Sequence, residues 1–365
     1  MGATVAAVLR PTARTVPTAV DLFAGAGGST AGLKAAGFAV VGAIEADPDA
    51  VRSYRANHPE VHLVDSDIRK VDAAGFVRAL HLGQTSVNIL VACPPCQSFS
   101  TLGAPKSDDD RPGLVADVWR FARRMRPHVV ILENVPGIRN RPELSLLIRR
   151  LRAVGYSVRG YTVDATEFGV PQRRKRHVVF AVNTLGTVAW PTPLLRALPA
   201  SFDKTLRSAA ETLQLVNASP RDGLSRHRIP NGTTLARIKA VPPGGDRRSL
   251  PDELQLACHA RLGRSGATSS YGRIALSGPA PTMTTRCTTP ACGRFVHPIQ
   301  NRGLTLREAA SLQTFPADYA FSGPYGSIER QIGNAVPVRM AEGLARIALG
   351  FLPPSARIEA GDRAS

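Results

Sequence analysis

The chain has 365 residues, of which 43% are hydrophobic, so it can hold one large domain or two modest ones around a sizeable core. Its formal net charge of +18 and its pI near 10.7 indicate a polyanionic partner, most simply nucleic acid. Five widely spaced cysteines do not form a disulfide framework and favour a reducing cytosol, and no stretch is long and apolar enough to span a membrane.

The first predicted unit is a strand at residues 18–23, a glycine-rich turn at 24–28 and a helix at 29–36. Strand, glycine turn and helix open a nucleotide-type βαβ unit, in which glycines let a ligand approach the backbone closely. Thr30 stands where the dinucleotide fingerprint has its third glycine, so a tight connection without a ligand stays an alternative.

Two carboxylates follow the next predicted strands. A strand at residues 38–45 ends on Glu45, about twenty residues beyond the glycines, where such folds place a carboxylate against ribose hydroxyls. A helix at 47–57 and a short strand at 61–64 come next. Asp67 then could accept a hydrogen bond from an adenine amino group, or only cap the next helix.

The apolar run that begins at Val87 is typical of a strand buried on both faces. Pro94 and Pro95 end this strand because neither can donate a backbone hydrogen bond. Cys96 therefore lies in a loop at the carboxyl end of a strand, where open α/β sheets bind their ligands. Its thiol is a candidate nucleophile, and the alternatives are a buried structural cysteine or a redox pair with Cys93.

Beyond this loop the pattern predicts a helix, a strand, a helix and two strands, at residues 114–125, 128–132, 143–154, 157–163 and 176–182. The first of these strands leads into Glu133, another carboxylate at a strand end. Four cations at residues 173–176 enter the last strand, so some of them should point inward. The alternation of strands and helices predicts an α/β fold with a doubly wound, mostly parallel sheet.

The character of the sequence changes after residue 185. Residues 186–272 are rich in Pro, Gly, Ser and Arg and only weakly periodic, which predicts a separate small domain of irregular structure. Its loops suit contacts with nucleic-acid grooves, although a Pro/Gly-rich linker is the alternative. Clear periodicity returns with a predicted helix at 304–314, which Thr305 and Glu308 cap. Residues 331–337 open a final predicted helix that runs to about Leu349.

The remaining cysteines and histidines do not predict a metal site. They fit no standard zinc spacing and are Cys258, His259, Cys287, Cys292 and His297. We therefore expect no bound metal.

The order and spacing of these motifs resemble those of the cytosine-5 DNA methyltransferases. The resemblance runs from about Asp21 to Ala345, and only residues 186–272, where the family keeps its variable target-recognition region, lack a recognisable pattern. Its most specific part is Pro-Pro-Cys-Gln-Ser-Phe-Ser at 94–100 followed by Glu-Asn-Val at 133–135. The other matching stretches are 21–28, Glu45, 67–68, 172–176, 281–282 and 331–337.

The resemblance implies a Rossmann-like, S-adenosylmethionine-dependent methyltransferase with a smaller target-recognition domain. It implies that Cys96 adds to C6 of a flipped-out cytosine, that Glu133 contacts N3 and the exocyclic amine, and that Arg176 holds O2. Arg174 would support the same loop. The positions implied to bind the methyl donor are Phe23, Gly25, Gly27, Glu45, Ala46, Asp67, Ile68, Pro95, Leu114 and Asn334.

Double-stranded DNA is the partner that the resemblance implies, at a sequence that the chain does not reveal. The residues expected to contact it are Gln97, Ser98, Ser100, Arg226, Arg228, Arg247, Arg248 and Arg286. We expect a monomer in the cytoplasm, associated with the nucleoid. It would serve a prokaryotic restriction-modification system, with a cognate endonuclease as genetic partner, or act as an orphan methyltransferase.

The expected domain organisation is discontinuous, because the last helix must return to complete the donor pocket. The expected segments are an arm at 1–17, a catalytic domain at 18–185 plus 326–352, a target-recognition domain at 186–305, a hinge at 306–325 and a disordered tail at 353–365. The loop at 98–113 would close over the site. Three alternatives stay open: a tRNA cytosine-5 methyltransferase, an inactive DNA-binding regulator, and a thiol-disulfide exchanger that uses Cys93 and Cys96.

Overall fold

The computed structural model describes residues 16–82, 86–95, 113–184, 186–218, 222–257 and 266–356. Seven strands form one sheet, and they are β1 (Thr18–Leu22), β2 (Ala39–Glu45), β3 (His62–Asp65), β4 (Ile89–Ala92), β5 (Val129–Asn134), β6 (Tyr156–Asp164) and β7 (Lys175–Asn183). The strand order is β3-β2-β1-β4-β5-β7-β6. Neighbours from β3 to β5 run parallel, whereas β7 is antiparallel to both β5 and β6. The prediction of a doubly wound, mostly parallel sheet is confirmed.

The described helices are α1 (Gly28–Ala35), α2 (Pro48–Asn57), α3 (Ala73–Ala79), α4 (Leu114–Met125), α5 (Pro142–Ala153), α6 (Ala209–Ala218), α7 (Gly232–Ala240), α8 (Leu306–Leu312), α9 (Tyr325–Asn334) and α10 (Val338–Leu349). None of these described helices is long and apolar enough to cross a membrane. Residues 1–15 and 357–365, which hold most of the expected arm and tail, lie outside the described residues.

Both faces of the sheet are buried, and alternate residues of each central strand enter different cores. Ile89 and Val91 of β4 pack into one core with Leu33 of α1 and Leu344 of α10. Leu90, on the other face, packs with side chains of α3, α4 and α5. Successive side chains of a strand point to opposite faces of the sheet. A strand such as β4, which is buried on both faces, therefore needs a continuous apolar run.

The last helix, α10, lies directly against α1. A Cβ atom at Gly32 of α1 would lie 2.5 Å from Ala341 Cβ and 2.6 Å from the Val338 carbonyl oxygen. Only glycine therefore permits this approach of the two helix backbones. The contact brings the C-terminal segment of the chain back beside β1.

The region after residue 185 is more ordered than its composition predicts, because it contains α6 and α7. Leu213 of α6 packs with Leu306 of α8 and Ile332 of α9 in a third core. A small fourth core lies around Ile238 of α7. Both helices are short, and weak hydrophobic periodicity left them without a sequence signal.

Arg273 organises this smaller region from inside. Its guanidinium is 4% exposed and donates to the carbonyl oxygens of Ile238 and Val241, at 2.7 Å each, and of His297 at 2.9 Å. The first two oxygens belong to the C-terminal end of α7, whose dipole favours a cation. One buried side chain thus ties α7 to the turn that follows Val296.

The segment predicted as the start of one final helix divides two helices. α9 ends at Asn334, Ala335 is extended with a ψ of 145°, and α10 starts at Val338. Pro337 explains the break, because proline lacks the N–H and disfavours a helical conformation in the residue before it. Asn334 thereby lies at a helix end rather than inside a helix.

Candidate active site

The candidate site lies at the carboxyl end of the sheet. From β1 the chain winds outward to β2 and β3, and β4 then starts on the other side of β1. Open α/β sheets bind ligands outside the strand ends where the winding reverses. The glycine turn follows β1 at this point, and Pro94 and Pro95 follow β4.

The glycine turn has an unusual backbone. Phe23, Gly25 and Gly27 have φ values of 60°, 56° and 95°, so three of five successive residues are left-handed. Phe23 is strained because its side chain disfavours this region, and such strain gathers at ligand sites. A Cβ atom added to Gly25 would meet nothing within 4 Å, so open space borders the turn.

Glu45, at the end of β2, holds the turn from the neighbouring strand. Its Oε2 accepts from the Gly25 amide at 2.7 Å, and its Oε1 accepts from the Ala46 and Asp47 amides at 2.9 and 2.8 Å. Burial raises the pKa of Glu45 above its ordinary value, against the effect of these hydrogen bonds. The carboxyl group therefore borders the open space while it fixes the turn.

Asp67 is partly exposed beside this strand end and pairs with Arg69. Arg69 Nη2 lies 2.7 Å from Asp67 Oδ2, and the hydrogen bonds from Arg69 lower the pKa of Asp67 to about 2. Asp67 also caps a short 3-10 turn by accepting from the Arg69 amide at 2.9 Å. An adenine amino group at Asp67 would have to share this carboxylate with Arg69.

The other predicted donor-binding residues differ in exposure. Ile68 and Leu114 are buried in the core on the α4 side of the sheet. Ala46, Pro95 and Asn334 are exposed. Ile68 and Leu114 can therefore offer a ligand only a small apolar surface. Ala46, Pro95 and Asn334 are open to contacts with a ligand.

Glu133 and Arg176 form a buried ion pair at the end of β5. Their relative exposures are 7% and 9%, and Arg176 Nε lies 2.8 Å from Glu133 Oε1. Arg176 Nη1 also donates to the Lys175 carbonyl oxygen at 2.8 Å. Within the described residues Glu133 Oε1 accepts no well-aligned hydrogen bond, so the carboxylate keeps capacity for another partner.

Asn134 links the strand of Glu133 to Pro94, two residues before Cys96. Its Nδ2 donates to the Pro94 carbonyl oxygen at 3.0 Å, and its Oδ1 accepts from the Val135 amide at 2.8 Å. The stiff Pro94–Pro95 corner is thereby fixed to the strand that bears Glu133. Sequence reasoning gave Asn134 no role, although it stands inside the matching motif.

Arg174 has a structural position behind the site. It is 3% exposed, and its guanidinium donates to the carbonyl oxygens of Met283 at 2.8 Å, Gly333 at 3.3 Å and Ala335 at 3.0 Å. These bonds fix the chain on both sides of Asn334. Arg174 and Arg176 are buried while Arg173 and Lys175 are exposed, as the strand period requires.

Cys93 directly follows β4, the neighbour of the strand β5 that carries Glu133. Both residues line one cavity with Ser29 of α1, and Ser29 Oγ lies 3.8 Å from Cys93 Sγ. Burial, with the nearby Glu133, raises the pKa of the Cys93 thiol well above its ordinary value. A thiol held neutral in this way is a poor nucleophile, which disfavours the thiol-disulfide exchange alternative.

Sequence reasoning also missed a buried acid next to the turn. Asp21 is 0% exposed, accepts from Thr30 Oγ1 at 2.8 Å, and has a pKa that burial raises to about 7. Thr30 Oγ1 also lies 2.8 Å from the Tyr54 hydroxyl oxygen. Asp21 opens the matching stretch at 21–28 and is a carboxylate within an otherwise apolar strand, but neither feature gave it a role.

Several predicted residues lie outside the described part of the chain. These are Cys96, Gln97, Ser98 and Ser100, together with Cys258 and His259. Of the loop at 98–113, only Gly113 is described. Within the described ranges no three His, Cys, Asp or Glu side chains are placed to hold a metal ion.

Four of the arginines predicted to contact DNA are exposed, namely Arg226, Arg228, Arg248 and Arg286. Arg228 pairs with the buried Glu329 at 3.0 Å, and Arg248 pairs with Asp246 at 2.6 Å. Arg247 differs, because it is 4% exposed and its Nε donates to the Gly266 carbonyl oxygen at 2.8 Å. Its burial favours a structural role over the DNA contact that we expected.

Comparison with known proteins agrees with the architecture. The family model of the C-5 cytosine-specific DNA methylase matches residues 18–348. The Type II methylase M.HgiDII of Herpetosiphon aurantiacus is 35% identical over 348 residues, which cover 92% of this chain and 96% of that protein. The Type II methyltransferase M1.HphI of Haemophilus parahaemolyticus is 31% identical over 343 residues, which cover 91% and 86%.

Two solved structures are similar over almost their whole lengths. The Entamoeba histolytica methyltransferase EhMeth has a TM-score of 0.66 at 15% identity, with 93% of this chain and 99% of that chain covered. The S. pombe Dnmt2 methyltransferase has a TM-score of 0.59 at 18% identity, with 92% and 98% covered. At these identities the likeness shows the fold alone. The family match and the relatives above 30% identity confirm the resemblance carried by the motifs: the chain belongs to the C-5 cytosine-specific DNA methylase family.

Proposed function

We propose that the protein transfers a methyl group from S-adenosylmethionine to C5 of a cytosine that is flipped out of a specific double-stranded DNA sequence. The observation that carries this proposal is the buried pair of Glu133 and Arg176, 2.8 Å apart at the end of β5. Asn134 binds Pro94, two residues before Cys96, to the same strand end. An acid and a guanidinium therefore lie next to Pro94, two residues before Cys96, which supports a cytosine site at this strand end.

The residues present fit the methyl donor. The left-handed turn at Phe23, Gly25 and Gly27 borders open space, so backbone groups there can approach the methionine end. Glu45 would take the ribose, and Asp67 with Ile68 would take the adenine. Pro95, Leu114 and Asn334 would complete the pocket. When bound, the donor supplies an electrophilic methyl group on a sulfonium, which needs no phosphate-binding lysine.

The protein side chains would make C5 of cytosine nucleophilic. The Cys96 thiolate adds to C6, which breaks the aromaticity and places charge on N3 and O2. To stabilise this charge, Glu133 would have to carry or share a proton that it donates to N3, while its other oxygen accepts from the exocyclic amine. Arg176 would donate to O2, so both side chains would act on the ring in a site shielded from water. After C5 is methylated, a base removes the C5 proton and the bond between Cys96 and C6 breaks.

The basic surface would bind the DNA. A flipped base costs a few kcal/mol in lost stacking and pairing, which backbone contacts must offset. The net charge of +18 and the exposed Arg226 and Arg286 support such contacts. We also propose, from the Type II names of the relatives, that the protein protects DNA beside a restriction endonuclease.

Methyl transfer from labelled S-adenosylmethionine to duplex DNA and to tRNA tests the proposal. We expect label in duplex DNA only, and bisulfite sequencing of DNA from cells that express the protein should show one protected sequence. Label in tRNA alone would replace the DNA substrate by RNA. No label in either nucleic acid, with a folded protein, would contradict the proposed activity.

A further inference from the structure

Tyr319 reaches the glycine turn from nearly three hundred positions further along the chain. Its hydroxyl donates to the Ala26 carbonyl oxygen at 2.6 Å, and its side chain is 4% exposed. Phe315 and Phe321 pack against its ring, with centroids 4.7 and 5.3 Å away. Arg307 also donates to the Tyr319 carbonyl oxygen at 3.1 Å. The phenol is therefore held rigidly against the turn.

His58 is the second hydrogen-bond partner of the Tyr319 hydroxyl. Its Nε2 lies 3.0 Å from the Tyr319 hydroxyl oxygen, and Lys34 Nζ lies 3.3 Å from its Nδ1. The Tyr319 proton points to the Ala26 carbonyl, which can only accept, so the hydroxyl oxygen must accept from His58 Nε2–H. The donors thus run one way, from Lys34 through His58 and Tyr319 to Ala26.

The same two rings fill the space beside Gly27. A Cβ atom at Gly27 would lie 2.7 Å from both His58 Nε2 and the Tyr319 hydroxyl oxygen. The Gly27 amide donates to the Ala24 carbonyl oxygen at 2.9 Å, which closes the turn. His58 and Tyr319 therefore pack against the turn at Gly27, while the space beside Gly25 stays open.

We propose that Tyr319, oriented by His58, is a positioning residue that holds the strained glycine turn in the shape that binds S-adenosylmethionine. The inference rests on the proposed function, because it assigns the turn to the methyl donor. A left-handed turn with a strained Phe23 persists only where its surroundings over-determine it. The contact with Ala26 supplies that constraint from a part of the chain outside the βαβ unit.

The test compares Tyr319→Phe with Tyr156→Phe in the full-length protein. Tyr156 is also buried and donates its hydroxyl to a carbonyl oxygen, that of Pro127, at 2.7 Å. Both variants lose a hydrogen bond that a buried phenol donates to a carbonyl oxygen, and Tyr319→Phe also loses the bond that its hydroxyl accepts from His58. Only Tyr319 lies at the turn. Calorimetric titration with S-adenosylhomocysteine, the reaction product, should show a Kd raised about tenfold for Tyr319→Phe and unchanged for Tyr156→Phe.

Two further readouts separate positioning from general destabilisation. The KM for S-adenosylmethionine should rise in Tyr319→Phe, while kcat at saturating donor stays within about twofold of the wild-type value. Hydrogen exchange of the Gly27 amide should be faster in the ligand-free variant than in the wild type and in Tyr156→Phe.

A wild-type protein that binds the product, with Tyr319→Phe binding it equally well, would overturn the inference and leave the proposed function intact. A folded wild-type protein that binds neither donor nor product would overturn the proposed donor site and the inference together. Equal loss of affinity in Tyr319→Phe and Tyr156→Phe would also overturn the inference, because the loss would then reflect general destabilisation.

Discussion

The buried ion pair of Glu133 and Arg176 is the residue-level feature that most clearly marks the site. Removing two charges from water is expensive, and their mutual attraction repays that cost only with good geometry and additional hydrogen bonds. Here Glu133 Oε1 has no well-aligned hydrogen bond among the described residues. The proposed cytosine would supply the hydrogen bond that this carboxyl oxygen lacks among the described residues.

Glu133→Gln tests the role of this carboxyl group. Glutamine keeps the shape but cannot carry the charge or share a proton, so we expect kcat for DNA methylation to fall by about a hundredfold or more. The Kd for S-adenosylhomocysteine should not change, because the donor turn is held by other residues. Steady-state kinetics and calorimetry measure the two quantities, and near wild-type turnover by the variant would remove Glu133 from the chemistry.

Asp21 predicts a pH dependence of stability. Its pKa is about 7 in the folded protein against 3.8 for the free side chain, so the folded state binds the proton more tightly. The resulting stabilisation is complete below about pH 4 and is lost as the pH rises towards 7. Asp21→Asn has no such titration, and its free energy of unfolding should exceed that of the wild type increasingly from pH 5 to pH 8.

Urea unfolding of both proteins across this range measures that difference. The other carboxyl groups titrate in both proteins, so the difference between the two curves isolates Asp21. Parallel curves would show that Asp21 is already ionised in the folded protein at pH 5.

Individual residues of the site were predictable to different degrees. The strand period predicts that some of the cations at residues 173–176 point inward, and a carboxylate at a strand end singles out Glu133. Their pairing was not predictable, because it requires β7 to lie antiparallel beside β5, where Glu133 faces Val178. Tyr319 and His58 left no local signal, since each acts through a partner far away in the sequence.

At the scale of elements, α9 is placed by a very close backbone contact. A Cβ atom at Gly333 would lie 2.0 Å from the Thr284 carbonyl oxygen. Gln313 donates to the carbonyl oxygens of Ile332 and Ala335 at 2.6 and 3.1 Å. The helix end that carries Asn334 is thus held from two directions.

Gly333→Ala should therefore destabilise the protein by about 1–3 kcal/mol and weaken donor binding, because α9 must move and carry Asn334 with it. Gly326→Ala is the matched control in the same helix, since its added methyl group would meet nothing within 4 Å. Alanine there should leave stability unchanged or raise it slightly. Thermal unfolding and calorimetry compare the two, and equal stability of both variants would contradict the contact.

The predicted helices agree with the structure where one strong sequence pattern, such as an amphipathic period or a capping box, determines their bounds. The bounds of α4, Leu114–Met125, follow from its amphipathic period, and the capping box of Thr305 and Glu308 fixes the start of α8. α3 and α9 were missed. α3 has seven residues, too few for a clear period, and the end of α9 overlaps the segment at 331–337, whose motif predicts the start of the last helix.

At the scale of the whole molecule, the charge of +18 predicts salt-dependent DNA binding. Each arginine that neutralises a phosphate releases counterions, so the logarithm of the affinity should fall linearly with the logarithm of the salt concentration. Arg226→Ala should weaken binding to all sequences alike and reduce the slope by about one. Fluorescence anisotropy with a labelled duplex at several salt concentrations measures both effects.

Arg150→Ala serves as the control for this measurement. Arg150 is exposed on α5, whose apolar side packs against the face of the sheet opposite α1 and α10. We expect it to change neither affinity nor slope. A slope that Arg226→Ala leaves unchanged would exclude a phosphate contact at Arg226.

A covalent trap tests the central claim most directly. The protein is incubated with S-adenosylmethionine and a long duplex in which 5-fluorocytosine replaces every cytosine of one strand, so the recognition sequence need not be known. Fluorine blocks the final proton removal, and we expect a protein–DNA complex that survives denaturing electrophoresis and is absent with Cys96→Ala. If the protein methylates ordinary duplex DNA but forms no such complex, the proposed bond between Cys96 and cytosine C6 is wrong.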